Sequence, residues 1–394
     1  MRSPNMMTSA IALMVGCFPA IAQSAEWDVR VGGYVEENVA LGFWDIDGFS
    51  GDQFDGVDNK TDSEIWFLPS IELENGLKIG ANIQLEASSN GDQIDEAFLE
   101  IKGSFGELIL GSENSAGYKM TLAAPNVSHV AINSASTTAF LPFNDVLTND
   151  NNGDGDTLDA GENVNVGDGL FRQTLGTTFL ENGGNNDAQR FTYFSPRFSG
   201  VRLGLSYARD GLQDNNAQVN LNGNALAHIF DVGVDFRETF AGVSVAAAGR
   251  WGIAEDDSVG ATNNPQVFGG SMRLGFGGFQ VGGGFAEQNN SGNRDGRSFD
   301  AGIAYRTGPW GFSFSYLNGE NVDDENEFNA LGNDESRDSF LAAVNYNLAK
   351  GVRLGIFGIY ENFDEDTGDA LGNRAATGDD VDGFVIGTGI ALNF

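Results

Sequence analysis

The sequence is poor in the residues that rigidify small exported domains. It has one cysteine, Cys17, so no disulfide can form within the chain, and only 8 prolines. It also lacks any run of roughly eighteen apolar residues, the length that a transmembrane helix needs, so no such helix is predicted. This second absence leaves a membrane barrel open, because barrel strands alternate and have weak hydropathy.

Basic residues and histidines are scarce as well. The chain has 21 Lys and Arg against 56 Asp and Glu, a formal net charge of -35, which excludes a nucleic-acid partner because phosphates would be repelled. The histidines are His129 and His228, and no G-x-S-x-G motif frames a serine, so we expect no enzymatic activity. With 41% hydrophobic residues, the chain should nevertheless fold.

The first 25 residues have the composition of a secretory signal peptide. Arg2 precedes an apolar stretch, and small residues follow, so we expect cleavage after Ala22 or Ala25. Val15-Gly16-Cys17 resembles a lipoprotein box, although Met14 fits it poorly. We assign 1–25 to the signal peptide and 26–394 to a single barrel domain.

From Trp27 onward, apolar and polar residues alternate with a period of two, which predicts strands. The expected fold is all-β, a 16-stranded antiparallel transmembrane β-barrel, since bacterial barrels have even strand numbers. The predicted strands are 27–43, 63–74, 77–89, 92–103, 106–112, 188–195, 200–209, 226–237, 241–253, 265–276, 278–287, 297–306, 309–318, 337–348, 351–362 and 381–394.

The connections between these strands alternate in length. Short turns such as 74–76, 103–106 and 306–309 carry Gly, Asn-Gly or Gly-Pro, whereas 44–62, 319–336 and 364–380 are long and acidic. Short periplasmic turns and long outer loops are typical of outer-membrane barrels. A soluble β-sandwich also has short strands and loops, but it does not need this alternation through the whole chain.

The two faces of each strand support a lipid-facing exterior. In 310–316, Trp310, Phe312, Phe314 and Tyr316 alternate with Gly and Ser. An apolar outside and a polar inside fit lipid outside and water inside, and sixteen strands leave a channel too wide for side chains to fill. Aromatic residues near strand ends predict interfacial girdles: Trp27, Tyr34, Phe43, Tyr193, Tyr207, Phe236, Trp251, Tyr305, Trp310 and Tyr360.

Two stretches resemble a known family. "NGLKIGANIQLEASSNGDQIDEAFLEIKGSFGELILGSENS" (75–115) resembles the second to fifth strands of the general, Rhodobacter-type porins of the Gram-negative outer membrane, most specifically in "AFLEIKGSFGELILG". The terminal "GIALNF" resembles the strand that such proteins present to the barrel-assembly machinery, which makes Phe394 an assembly signal.

This resemblance implies a homotrimer embedded in outer-membrane lipid and lipopolysaccharide. Each barrel would be a passive channel for small hydrophilic solutes and ions, with no required cofactor. It also implies that the long third loop, 113–187, folds into the barrel as a constriction, and that its His129 contacts the wall rather than a ligand.

Within that loop, "DNNGDGDTLDAGE" (150–162) resembles the calcium-loop pattern D-x-[DN]-x-[DN]-G-x5-E. Alternate oxygen ligands could wrap around one Ca²⁺. However, the final acid comes one residue late, and the alternative is a solvated acidic loop. The candidate ligands are Asp150, Asn152, Asp154, Asp156, Asp159 and Glu162.

Charges on inward positions predict the ion preference of the channel. Acidic outer loops and a net acidic third loop facing basic side chains should give moderate cation selectivity that weakens with salt. Two alternatives remain: a substrate-selective channel, and a secreted calcium-binding β-protein, which should show tandem repeats that are missing here. The candidate pore-lining bases are Arg30, Lys102, Arg202, Arg237, Arg250, Arg273, Arg306 and Arg353.

Overall fold

A computed structural model of the chain shows one closed barrel. It describes residues 26–46, 55–88, 94–140, 147–148, 163–164, 174–182, 187–211, 226–256, 263–290, 295–321, 335–365 and 381–394. The predicted signal peptide and the predicted calcium motif lie outside these residues, so both stay predictions.

Sixteen antiparallel strands form the barrel wall, each paired with its neighbours in the chain, and the last strand pairs with the first. The strands are β1 (Trp27–Ile46), β2 (Gly56–Glu72), β3 (Lys78–Glu86), β4 (Ala97–Gly103), β5 (Gly106–Ser112), β6 (Gln189–Phe194), β7 (Val201–Asp210), β8 (Leu226–Phe240), β9 (Val243–Asp256), β10 (Gln266–Phe276), β11 (Phe279–Asn289), β12 (Gly296–Thr307), β13 (Trp310–Asn321), β14 (Glu335–Ala349), β15 (Val352–Glu365) and β16 (Val381–Asn393).

The predicted barrel is therefore confirmed, with one displaced boundary of note. Strand β2 begins at Gly56 instead of residue 63, because β1 and β2 continue as a long ribbon in which Leu41 pairs with Val57. The added residues, "GVDNKTD", are mostly polar and exposed. They lack a buried face, so hydrophobic alternation gave no sign of this part of the strand.

Closure joins the two ends of the barrel chain. Tyr34 pairs with Asn393, and the backbones of Gly33 and Phe394 exchange hydrogen bonds of 3.1 and 3.2 Å. Ile386, Ile390 and Phe394 share the exposed outer face, as their alternation predicts. An aromatic end is therefore paired on the barrel surface instead of free in water.

The outer surface is apolar and carries aromatic residues toward both rims. Nine of the ten predicted girdle residues point outward by strand alternation; Tyr34 does not. Its hydroxyl donates to Asp62 and Glu64 at 3.0 Å each, on the inner wall. That assignment was wrong because Tyr34 is on the polar side of the alternation: the exposed apolar residues of β1, such as Val31 and Val35, occupy the odd positions.

The inner face is only partly polar, contrary to the simple alternation expected of a water-filled lumen. Inward Leu317, Leu341, Phe357 and Ile359 are buried in a hydrophobic cluster together with residues of the third loop. Inside that loop lie the helices α1 (Ala116–Met120) and α2 (Ala135–Thr138) and a two-residue ladder between 147–148 and 163–164. Neither helix is long and apolar enough to span a membrane.

Candidate functional site

Residues 115–133 of the third loop run along the inner barrel wall, and we call them the inner belt. The belt starts beside β5, and its contacts follow the strands in order. Ala116 meets Ser206 on β7, Ala124 meets Asp300 on β12, and His129 meets Asn38 on β1. The loop thus lines most of the circumference.

Wall side chains accept hydrogen bonds from the belt backbone. Serine hydroxyls and carboxylates on β7, β8, β10, β12 and β13 take the place of a sheet partner for five of the belt amides. The bonds are Ala116 N to Ser206 Oγ (2.6 Å), Gly117 N to Asp231 Oδ1 (2.5 Å), Leu122 N to Ser271 Oγ (3.0 Å), Ala124 N to Asp300 Oδ1 (2.6 Å) and Val127 N to Ser313 Oγ (3.3 Å).

Glycines on the inward face make room for the belt. A Cβ placed at Gly233 would lie 2.6 Å from Met120 Sδ, and one at Gly311 would lie 2.9 Å from Val127 Cβ. Both distances are well inside van der Waals contact, so the belt can lie this close to the wall only because these strand positions have no side chain. The glycines of this track are Gly204, Gly233, Gly284, Gly302, Gly311, Gly355 and Gly389.

The belt approaches β1 at a buried histidine. His129 Nε2 lies 2.6 Å from Asn38 Oδ1, and the ring packs over Gly355 and Gly389. Burial, and then the positive charge of Arg353, lower the pKa of His129 to about 4. The ring is therefore neutral at physiological pH, and Nε2 donates its proton to the Asn38 oxygen. The structure thus places His129 against the wall.

A second strip of the loop, residues 174–182, runs back along the wall, and we call it the return segment. Arg337 donates to Leu175 O at 3.2 Å, Ser298 Oγ donates to Thr177 O at 2.7 Å, and Arg250 donates to Leu180 O. Asp300 joins the two strips, because it accepts from both Ala124 N and Thr178 Oγ1. The belt and the return segment are therefore both fixed to the barrel wall.

Buried charges hold the root of the loop. Glu113 pairs with Lys119, and Asn114 Nδ2 donates to Glu96 Oε1 at 2.8 Å. Burial, and then the adjacent Glu113 carboxylate, raise the pKa of Glu96 to about 9. Glu96 is therefore protonated at neutral pH, which leaves Glu113 as the carboxylate that pairs with Lys119.

All eight predicted bases lie on inward positions, but most contact a partner. Arg250 is buried against Asp231 at 2.5 Å, so it holds the loop root and does not line water. Arg273 donates to Ala123 O and Arg306 to Asn126 O, at the periplasmic edge of the belt. The others lie beside carboxylates: Arg30 by Asp28, Lys102 by Glu100 and Glu107, Arg202 by Glu107, Arg237 by Asp235 and Arg353 by Glu36.

The wall formed by β2 and β3 is different. Apart from the buried Ser70, its inward side chains are exposed or half-exposed, among them Asp62, Glu64 and Glu86, whereas those on β13–β15 beneath the loop are mostly buried. Glu64 and Glu86 pair across the two strands, and carboxylate oxygens of both lie within 4.8 Å of one on Asp95. Such a trio has the chemistry to hold a hard cation. Here the carboxylates face the lumen.

Aromatic donors fix the position of Glu64 on this acidic wall. Trp66 Nε1 donates to Glu64 Oε2 at 2.5 Å, Tyr34 donates to Oε1, and the two rings make an edge contact at 6.0 Å. The acids of the predicted acidic third loop lie largely outside the described residues, and 115–140 contains none.

A closed barrel with an apolar exterior, polar wall and internal loop is the architecture of outer-membrane channels. The model of the Gram-negative porin family matches residues 8–368. The chain belongs to the Gram-negative porin family. It is an outer-membrane porin channel of a Gram-negative bacterium. No curated protein sequence matches it significantly.

Solved structures share the fold at low identity. The chain is similar to the outer membrane channel DcaP of Acinetobacter baumannii, at 12% identity and a TM-score of 0.57 over 96% of this chain and 100% of the other. The chain is also similar to the anion-selective porin from Comamonas acidovorans, at 14% identity and a TM-score of 0.54 over 94% of this chain and 100% of the other. OmpT of Vibrio cholerae in its trimer form is 13% identical, with a TM-score of 0.54 over 93% of this chain and 99% of the other.

Sequence reasoning missed the wall residues that anchor this porin's loop. Arg337 and Glu361 form a fully buried bidentate pair, with contacts of 2.8 and 2.9 Å, and Asp231 and Asp300 bond the belt. All four lie on inward positions; Asp231, Asp300 and Glu361 lie within their strands, and Arg337 is the third residue of β14. A charged residue at such a position, far from a turn, is a signal that could have identified them.

Proposed function

We propose that this porin is a passive, cation-preferring channel for small hydrophilic solutes. The observation that carries the proposal is the acidic wall of β2 and β3, which the described loop leaves facing the lumen. Asp62, Glu64 and Glu86 are there, while Arg250 and Arg337 are buried in pairs across the barrel. Charges that line a narrow, low-dielectric passage act on ions at close range.

The arginines Arg273 and Arg306 oppose this effect, since both bond only neutral groups in the contacts described above. They lie toward the periplasmic turns, where they would attract anions. The acids of the wall and outer loops outnumber them, so the balance favours cations. The margin should shrink as salt rises, because fields from the outer loops decay within about 8 Å at physiological ionic strength.

Reversal potentials across a planar bilayer in a KCl gradient test this proposal. We expect cation preference in the native protein and a weaker preference in the double variant Glu64→Gln/Glu86→Gln. Glu238→Gln is the matched control, because Glu238 is exposed on the outward face near a periplasmic turn. Anion preference at low salt, as the name of the Comamonas protein states for that porin, would refute the proposal.

Recognition of organic cations is a second candidate function, favoured by the aromatic rings beside Glu64. An ammonium group can bind a carboxylate and an aromatic face together. Current block by a polyamine that is lost in Trp66→Leu, while KCl conductance is kept, would favour such a selective channel. Equal block in both proteins would leave the general channel.

Further proposals concern assembly and metal. Self-association as a trimer is supported by the trimer form of the Vibrio cholerae protein. Contact with lipid, lipopolysaccharide and the barrel-assembly machinery, and the absence of catalysis, follow from the family's architecture. Calcium binding at 150–162 is tested by calorimetry of the native protein against Asp150→Ala/Asp154→Ala, with equal weak binding as the contrary outcome.

A further inference from the structure

A β-bulge that contains a histidine lies at the outer end of β8. From Ala227 to Phe230, β8 advances three residues while the paired part of β9 advances two. His228 lies in this bulge with a φ of 49°, in the left-handed region that residues other than glycine rarely adopt. Bulges re-aim side chains and are common beside functional sites, so the contacts of this ring need an explanation.

The bulge sets the His228 ring on the outward face, against Tyr207 of β7. His228 Nδ1 lies 2.9 Å from the Tyr207 hydroxyl, and the two rings stack with their centroids 6.2 Å apart. When the hydroxyl donates to Nδ1, the ring proton is on Nε2. Nε2 has no hydrogen bond to a described residue, so it can donate to a ligand.

Arg209 lies beside this histidine at the same height on the barrel. The register between β7 and β8 puts it opposite His228, and its side chain is exposed on the outward face. Glu255, an outward acid at the same rim, is two strands away on β9. Arg209 makes no ion pair with any residue that the structure describes, so its guanidinium is open to a ligand.

An open base is rare on the outer rim of this acidic chain. The other outward base that the structure describes there is Arg297, which lies 2.6 Å from Glu320 and opposite Glu287. Other strand ends carry acids or amides on the same face: Asp45, Gln266, Asn289, Asn318, Asp338, Asn362 and Asp382. Within the described rim, Arg209 and His228 therefore form the one basic group that no acid offsets.

This basic group lies at the height of the lipid headgroups. Phe191, Tyr207 and Phe230 pair across β6, β7 and β8 as one outward aromatic row, and Arg209 is two residues further out than Tyr207. With a rise of about 3.3 Å per residue and a tilt of about 45°, it lies roughly 5 Å above that row. Aromatic girdles mark the edge of the hydrocarbon, and the headgroup layer adds about 5–7 Å beyond it.

We propose that Arg209 and His228, with Tyr207 orienting the histidine ring, bind a phosphate group of lipopolysaccharide in the outer leaflet. The inference rests on the lipopolysaccharide contact proposed above and names the residues that make it. The guanidinium can donate two parallel N–H bonds to phosphate oxygens, and His228 Nε2 adds a third. The aromatic row beneath them contacts the acyl chains of the same lipid. We call these three residues the Arg209 site.

The charge of the Arg209 site fits a phosphate monoester better than the phosphodiester of an ordinary phospholipid. A monoester carries a charge of about −1.5 to −2 at pH 7 and has three acceptor oxygens. A phosphodiester carries a single charge and has two such oxygens. Arg209 together with a protonated His228 supplies two positive charges and the three donors that a monoester accepts from. Lipopolysaccharide, a glycolipid with phosphate monoesters, is therefore the occupant to which the proposal commits.

Binding of short-chain, deep-rough lipopolysaccharide to the folded protein in detergent with EDTA, followed by native mass spectrometry, tests the proposal. The variants are Arg209→Gln and His228→Asn, because Asn also tolerates the left-handed backbone of the bulge. Arg297→Gln is the matched control, since it removes a base of the same rim that Glu320 already offsets. We expect affinity to fall about tenfold in Arg209→Gln, severalfold in His228→Asn and less than about twofold in the control.

The ligand is varied in the same assay. The native protein should bind the dephosphorylated glycolipid and phosphatidylglycerol far more weakly, and inorganic phosphate should not displace the bound lipid. Loss of binding in EDTA would mean that divalent cations bridge the phosphate to acids such as Glu255. That result, equal loss in Arg297→Gln, tight phosphatidylglycerol binding or displacement by inorganic phosphate would each overturn the Arg209 site. Bilayer conductance should be unchanged in all three variants, and its absence in the native protein would count against the channel proposal alone.

Discussion

Two ionisable side chains of the third loop region are held in their neutral forms by burial. His129 has a lowered pKa, and Glu96 a raised one. Each bonds an amide, His129 with Asn38 and Glu96 with Asn114. Neutral groups suit such sites because an uncompensated buried charge would be costly. At the residue scale, then, protons help to set the position of the loop.

Acid should loosen the end of the belt. The pKa of His129 is about 4 in the folded protein against an ordinary value of 6.5, so the unfolded state takes up the proton first. Stability from the neutral ring is therefore present above pH 6.5 and lost as pH falls toward 4, by on the order of 3 kcal/mol at most. Hydrogen exchange of residues 126–133, measured by mass spectrometry, should speed up over that window. His129→Gln should remove most of this pH dependence, and an unchanged profile would contradict it.

At the root of the loop, the pH dependence of stability has the opposite sign. The pKa of Glu96 is about 9 when folded against an ordinary value of 4.5, so its contribution is full below pH 4.5 and is lost as pH rises toward 9. Glu96→Gln mimics the neutral acid and should change heat resistance little at pH 7. Lys119→Met leaves Glu113 buried without its cation and should cost about 3–5 kcal/mol. Electrophoretic heat-modifiability of both variants tests this, and equal effects would contradict it.

At the scale of elements, the strands could be predicted from alternation, while the belt could not. Alternation reports which face is apolar, and it identified all sixteen strands. It says nothing about Gly204 or Gly311, whose role appears only when a loop lies over them. Inward Leu341 and Phe357 likewise look misplaced in a water-filled pore until Val127 and Val130 are seen against them. Long-range packing inside the lumen leaves no period in the sequence.

A methyl group on the glycine track should displace the belt. Gly311→Ala puts Cβ 2.1 Å from the side-chain oxygen of Asn345 and 2.9 Å from Cβ of Val127, and overpacking of this kind costs about 1–3 kcal/mol. Gly358→Ala on the outward face of β15 is the control, since its nearest neighbour, a ring carbon of Phe384, would be 3.6 Å away. We expect altered single-channel conductance and lower heat resistance only in Gly311→Ala. Equal behaviour of the two variants would mean that the track is incidental.

The whole molecule depends on one seam, where β1 meets β16. Deleting Phe394 removes both backbone bonds to Gly33 and an exposed aromatic ring, whereas Phe394→Ala removes the ring alone. We expect the deletion to reduce folded barrel in the membrane fraction, as seen by heat-modifiable migration. If the barrel-assembly machinery recognises the ring, Phe394→Ala should reduce folded barrel as much as the deletion does. If closure depends on the backbone bonds, Phe394→Ala should fold normally. Normal yield from the deletion would refute both roles.

The path of the belt has a consequence for the order of assembly. Its contacts advance along the belt in the same order as the strands advance along the chain, from Ser206 through Asp231 and Asp300 to Gly355 and Gly389, and only then to Asn38. The belt can therefore attach to the inner face of the sheet contact by contact, as hairpins are added and while the sheet is still open. The last contact of the belt, between His129 and Asn38, forms only when the first and last strands have met. A chain stalled before β16 would keep only the end of the belt near His129 unattached in its lumen, so completion of the wall and final attachment of the loop become a single event.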